Sequence, residues 1–252
     1  MTVTIHRPAL PMLDPDLVRR WGAISTTITA DLVEGRTLAD PAIRPLRPLG
    51  SVSRLVGRTR TVRCEPPDFG AVLHGIDRAE PGDVIVIAAG GHRDVAVLGD
   101  ILGGVARRKG VAGVAIDGAV RDVAELAGWS DFPVFARATT ARGPSSREHG
   151  ALDGPVSFGG VTIVPGTLVV GDDDGLMFLS PAEATGLIAA AEQRRDAEAS
   201  WVARLQAGEA LRDVLGLPQA EVETAIDASK PPGDGFADPG ARHHSDFSLR
   251  TS

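Results

Sequence analysis

The chain has 252 residues, 43% of them hydrophobic, enough to bury a sizeable core as one large domain or one domain with an appendage. Its formal net charge of −7 argues against a nucleic-acid backbone or an anionic membrane as the main partner, because both require a concentrated positive field. A lone cysteine, Cys64, excludes an internal disulfide and any multi-cysteine metal site. With no signal-like N-terminus and no apolar run near the roughly 18 residues of a membrane span, the expectation is a cytoplasmic protein.

Asp14 followed by Pro15 reads as an N-cap and first helical position, so a helix is expected over "PDLVRRWG", with a second in "TTITADLVEG". The Pro-rich "ADPAIRPLRPLG" is an extended connection, and "RTRTVRCEP" alternates as a strand, with Cys64 inert on it. Helix and strand then alternate: "DFGAVLHGIDRAE" helical, "GDVIVIAA" a strand, "LGDILGGVARRKG" helical, "VAGVAID" a strand, "RDVAELAG" helical. Apolar runs without polar alternation indicate strands covered on both faces, hence an α/β core with parallel pairing. After Pro133, "PVFARATT", "GPVSFGGVTIVPG", "TLVVGDD" and "GLMFLSP" predict short strands between Gly and Pro turns, a β-rich layer closing the core. A long helical segment interrupted near Gly208 covers 181–217, and 218–252 is a loosely ordered tail. The expected division is therefore a helical lead-in over 1–25, a core over 26–180, the helical segment and the tail.

Asp100 opens a helix of about ten residues, roughly 15 Å at 1.5 Å per residue, and the strand Val111 to Asp117 returns roughly 20 Å. Asp100, Arg121 and Asp122 therefore lie at one end of the core and can meet. That end, beyond the carboxyl edge of the strands, is where open α/β folds bind ligands. Amides near Asp100, Ile101 and Leu102 at the helix N-terminus suit a carboxylate, Arg121 is a bidentate anion partner, and Asp122 suits a hard, water-rich cation. The same residues also suit a plainer arrangement in which Asp122 complements a helix dipole, Arg121 is solvated and Asp100 is a cap. Spacing alone leaves both open.

Other features carry less chemistry. "GDDDG" (Asp172 to Asp174) lacks the spacing of a calcium loop and reads as a tight turn, and His74 reads as a core or interface histidine on an amphipathic helix. His243 and His244 fall in the tail. "AAGGHRD" matches neither the dinucleotide nor the P-loop fingerprint.

The segment "LGDILGGVARRKGVAGVAIDGAVRDVAEL", with "RPLG" and "RAEPGDVIVI" upstream and "PGTLVVGDDDGLMFLSP" downstream, resembles the family joining class II 4-hydroxy-4-methyl-2-oxoglutarate aldolases to RraA-like regulators of ribonuclease E activity. The sharpest element is an acid, twenty intervening residues, then Arg-Asp, met by Asp100, Arg121 and Asp122. The resemblance runs from about Thr26 to Leu217. It implies a swivelling β/β/α domain, here with a C-terminal helical extension, assembled as a homotrimer or homohexamer. It implies Asp122 as ligand to Mg²⁺ or Mn²⁺, Arg121 on the pyruvyl group, Asp100 orienting or activating a water, and a carboxylate held by the turn at Gly99 and the amides of Ile101 and Leu102. The regulator branch typically has Gly at the position of Asp100. Two departures are the long tail and Thr167, where an Asp is common after "PG".

The activity this implies is metal-dependent cleavage of a 4-hydroxy-2-oxo acid to pyruvate, with oxaloacetate decarboxylation as a side activity. A Schiff-base route needs a desolvated lysine, and the chain has only Lys109, at the far helix end, and Lys230 in the tail. The alternative is a non-catalytic regulator that binds a ribonuclease or other protein. The distal end of the substrate is read by loops such as "TTARGPSSREHG", where Arg142 and Arg147 suit a second carboxylate and equally suit solvent, or by a neighbouring subunit.

Overall fold

The computed structural model describes residues 2–7, 10, 12–50 and 54–220. In chain order the elements begin with β1 (Thr4–Ile5), α1 (Pro15–Trp21), α2 (Thr26–Leu32), β2 (Arg44–Pro45), β3 (Leu55–Arg63), α3 (Gly70–Arg78) and β4 (Asp83–Ala88). Next come β5 (Ala96–Leu98), α4 (Asp100–Arg108), β6 (Gly113–Val120), α5 (Val123–Gly128), β7 (Val134–Thr139) and β8 (Ala151–Leu152). The chain continues through β9 (Val156–Phe158), β10 (Val161–Ile163), β11 (Leu168–Asp172) and β12 (Gly175–Leu179) to α6 (Pro181–Gln206) and α7 (Leu211–Leu215).

Local chemistry explains several boundaries. The Asp14 carboxylate accepts the Asp16 amide at 2.9 Å with Pro15 in the first turn, which starts α1. Ser180 and Glu183 cap each other reciprocally, the Glu183 amide donating to Ser180 Oγ at 3.2 Å and the Ser180 amide to Glu183 Oε2 at 2.9 Å, which starts α6. Gly208, at φ +89°, stands in the break between α6 and α7, as the sequence implies.

Strands β3, β4, β6 and β7 run parallel and side by side, and β5 continues along the same edge of β6 beyond β4. Antiparallel strands finish the sheet. β11 pairs with the first half of β3, β8 with its last residues, β12 with β11 and β2 with β7. Every residue of β4 and β6 is buried, as continuous apolar runs require when both faces are covered. Helices α3, α4 and α5 cover one face through Ile76, Ala106 and Leu126 against Ile85, Ile87 and Ile116. Each of these isoleucine and leucine side chains contributes about 1.5–3 kcal/mol by burial. The β9–β10 hairpin covers the other face through Val156 and Phe158 against Val86, Ala115 and Phe178. A third cluster joins α1, α2 and α6 to β11 and β12, with Trp21 Nε1 donating to the Ala184 carbonyl at 3.0 Å.

Several expectations need correction. Strand β6 runs on through Val120 rather than ending at Asp117, with Ala119 paired to Ala96 and Ala138 and Gly118 packed so closely on Ala89 that a Cβ would meet it at 2.8 Å. β7 is a member of the parallel sheet, not of a separate closing layer. β5 and the two-residue strands β1, β2 and β8 were not expected, being too short to show a period. His74 is exposed on α3, which removes the core half of its core-or-interface reading.

The acidic turn is the tight β11–β12 connection, and two of its three carboxylates have structural partners. Asp172 accepts the Thr26 amide at 2.9 Å, and Asp173 accepts the amides of Leu49 and Gly50 at 2.7 and 2.8 Å. Of the described residues, those up to Val202 form one compact unit and those from Ala203 onward belong to a second. From residue 221 the chain, with Lys230, His243 and His244, lies outside the described residues. No helix among the described residues is long and apolar enough to cross a membrane.

Candidate active site

The short strand β5 brings the candidate residues together. Leu98 pairs with Val120, and the Arg121 amide donates to the Leu98 carbonyl at 3.0 Å. The chain leaves β5 through Gly99 into α4 while its neighbour leaves β6 through Arg121 into α5. Asp100 and the Arg121-Asp122 pair therefore share the carboxyl edge of the parallel strands.

Asp122 occupies the left-handed region at φ 56°, ψ 41°, unusual for a residue with a Cβ but more accessible to Asp and Asn than to most. Its side chain makes no capping bond to α5. It reaches instead across to α4, where Oδ2 accepts the Asp100 amide at 3.3 Å and lies 3.4 Å from Arg121 Nε. The carboxylate thus rests on the positive end of the α4 dipole. Gly99, the N-cap of α4, makes room for it: a Cβ there would fall 2.3 Å from Asp122 Oδ2 and 3.0 Å from Arg121 Cγ.

Asp100 is the first helical residue of α4 rather than its cap. Its Oδ1 accepts the Ile101 amide at 2.7 Å, so that donor is already engaged by its own neighbour. The Leu102 amide has no acceptor among the described residues and is the open donor of this turn. Beside it lies a cavity of about 310 Å³ bordered by Gly99, Asp100, Ile101, Leu102 and Arg121. Its remaining wall is apolar except for Arg147. Arg121 also borders an open depression with Asp122, Thr139 and Thr140, and its guanidinium packs on Gly143, where a Cβ would meet it at 2.5 Å. The Arg121 and Asp122 side chains are 41% and 39% exposed, within reach of a ligand from solvent.

No group of three or more His, Cys, Asp or Glu side chains suited to a metal occurs among the described residues. An all-protein cage for Zn²⁺ or Ca²⁺ is therefore not present among them. A single carboxylate whose second oxygen has no partner among the described residues does fit Mg²⁺ or Mn²⁺, which keep several waters and accept one or two protein carboxylates.

Of the two loop arginines, Arg147 borders the cavity. Arg142 does not, and it contributes its carbonyl to the Ala96 amide at 2.8 Å. Sequence reasoning missed Asp68. This buried carboxylate accepts the amides of Gly70, Glu148 and His149 at 2.8, 2.7 and 3.0 Å and the Ser146 hydroxyl, tying the loop of Arg147 to α3. Burial alone would raise its pKa, but these donors win and hold it well below the usual carboxylate range. Only its position just before a helix hinted at a capping role. Cys64 is buried, donates to the Asp68 carbonyl at 3.1 Å, and burial pushes its thiol up to about 12, which fits an inert residue. Lys109 stands at the opposite end of α4, donating to the Asp77 carbonyl.

Fold and geometry together define a layered β/β/α protein with an Arg-Asp pair packed on a helix N-terminus. The chain belongs to the RraA-like family (Aldolase/RraA), whose family model matches residues 25–178. It is 37% identical over 180 residues to a Halalkalibacterium halodurans protein named "Putative 4-hydroxy-4-methyl-2-oxoglutarate aldolase", a match covering 71% of this chain and 84% of the relative. Among solved structures it resembles Streptomyces coelicolor RraAS2, described as an unusual member of the RNase ES inhibitor RraA protein family. Identity is 29% and TM-score 0.69, covering 77% of this chain and 100% of that one. It also resembles the RNA-processing inhibitor RraA from Thermus thermophilis, with 31% identity and TM-score 0.55, covering 62% of this chain and 92% of that one.

Proposed function

We propose that the chain is a divalent-metal-dependent pyruvate aldolase that cleaves a 4-hydroxy-2-oxo acid, such as 4-hydroxy-4-methyl-2-oxoglutarate, to pyruvate. The observation that carries this reading is the Asp122 carboxylate, held in a left-handed conformation and turned away from its own helix onto the N-terminus of α4 beside Arg121. Mg²⁺ or Mn²⁺ held by Asp122 would supply a Lewis acid for the substrate's 2-oxo and carboxylate oxygens.

The protein's own groups divide the remaining work. The Leu102 amide and the dipole of α4 bind the substrate carboxylate, with the Gly99 turn leaving space for its approach. Arg121 binds the charge that gathers on the pyruvyl oxygens as the carbon–carbon bond breaks, a service worth more in the transition state than in the ground state. Asp100 accepts the 4-hydroxyl proton through a water it orients. Oxaloacetate decarboxylation reaches the same pyruvate enolate by losing CO₂, without a hydroxyl proton to remove. Assembly into a homotrimer or homohexamer belongs to the same reading. The names of the two solved neighbours support a second one, a regulator that binds and inhibits a ribonuclease or another protein.

Asp100→Asn separates the two. In the aldolase it lowers pyruvate release from 4-hydroxy-4-methyl-2-oxoglutarate by about a hundredfold, the scale of general acid–base help, and slows oxaloacetate decarboxylation far less. A wild type that releases pyruvate from neither substrate with Mg²⁺ or Mn²⁺, together with partner binding that survives Asp100→Gly, replaces this reading with the regulator.

A further inference from the structure

Arg147 sits on a loop fastened on both sides of it, its guanidinium has no partner among the described residues, and unlike Arg142 it borders the cavity. The Ser145 amide donates to the Pro67 carbonyl at 3.0 Å and the Phe69 amide to the Ser146 carbonyl at 2.9 Å. The next two amides, of Glu148 and His149, are both taken by buried Asp68. The Arg147 carbonyl lies so close to α3 that a Cβ on Gly70 would meet it at 2.5 Å. Such a clamp fixes where the side chain starts. Asp68 is committed to its own loop, and among the described residues no carboxylate pairs with Arg147. Arg147 is exposed, so its guanidinium is open to a ligand from solvent.

The cavity offers such a ligand a place. Arg121 and the N-terminus of α4 form one charged part of its wall, and Arg147 is the other cationic residue on it. The same wall carries the apolar side chains of Phe69, Leu73, Ala96, Leu98, Leu102 and Pro144. We infer that Arg147 is the specificity residue that pairs with a second carboxylate, selecting dicarboxylic over monocarboxylic 2-oxo acids whose short carbon chain lies on the apolar wall. This rests on the reading of the site as one for 2-oxo acids. A planar, always-charged guanidinium presents two parallel donors to a carboxylate, and pre-positioning its backbone lowers the ordering cost of the contact.

The test is a calorimetric titration of the full-length, Mn²⁺-supplied protein with two probes that lack a hydroxyl to cleave, pyruvate and 2-oxoglutarate. Arg147→Ala weakens 2-oxoglutarate binding tenfold or more and leaves pyruvate binding unchanged, and Arg147→Lys recovers part of the loss. Equal weakening of both probes, no change for 2-oxoglutarate, or a wild type that binds neither overturns the inference. Failure of the aldolase reading looks different, because a wild type that binds both probes with the Arg147 selectivity but cleaves no substrate keeps Arg147 and loses the reaction.

Discussion

The two ends of the parallel sheet use the same residue types in opposite ways. At the amino end, Arg58 donates to Asp83 at 2.9 and 2.7 Å, Arg60 to Asp83 at 3.2 Å and to Asp153 at 2.9 Å, and the Glu80 amide completes Asp83 at 2.9 Å. All four side chains are buried. At the carboxyl end, Arg121 and Asp122 are about two-fifths exposed, 3.4 Å apart, and one long amide bond is the sole hydrogen bond to the Asp122 carboxylate among the described residues. Asp83, its lone pairs filled by neighbours, holds strands together, whereas Asp122, exposed and with lone pairs left open, is available to a ligand. Saturation and exposure, not residue identity, separate the two.

Breaking that contrast starts at the saturated end. Asp83→Ala leaves two buried guanidiniums without their shared partner and is expected to cost about 3–5 kcal/mol, read as a lowered denaturant midpoint at unchanged slope. A shift under about 1 kcal/mol would mean that the amino-end network is no more structural than the carboxyl-end pair. Gly99→Ala sharpens the other side. The added methyl displaces Asp122 from the α4 N-terminus, so pyruvate release falls about tenfold, roughly 1.4 kcal/mol of transition-state binding, while the denaturant midpoint moves little. A variant with full activity would show that the position of this carboxylate is immaterial.

Much of the core was legible. The apolar runs of β4 and β6 announced buried parallel strands because nothing polar interrupts them except where Asp83 and Asp117 are paired inside. The rise of a helix and a strand sufficed to put Asp100 near Arg121. What actually fixes their distance is β5, three residues long and without a readable period. The left-handed turn at Asp122, the contact that requires glycine at position 99, and the Asp68 clamp join residues 22 to 81 positions apart or depend on backbone angles. Local propensity carries no record of such contacts. Exposure escaped sequence reading as well: His74 has the helical position of a core residue, yet it faces solvent.

The central claim is that Asp122 is the metal-dependent half of a pyruvate-releasing site. It is tested most directly by measuring pyruvate release from 4-hydroxy-4-methyl-2-oxoglutarate and from oxaloacetate, with Mg²⁺, Mn²⁺ or a chelator, in the wild type and in Asp122→Ala. The account predicts release that the chelator abolishes and that falls by about a hundredfold or more in Asp122→Ala, whose denaturant midpoint stays near that of the wild type. Release that survives the chelator, or that Asp122→Ala retains, would contradict it.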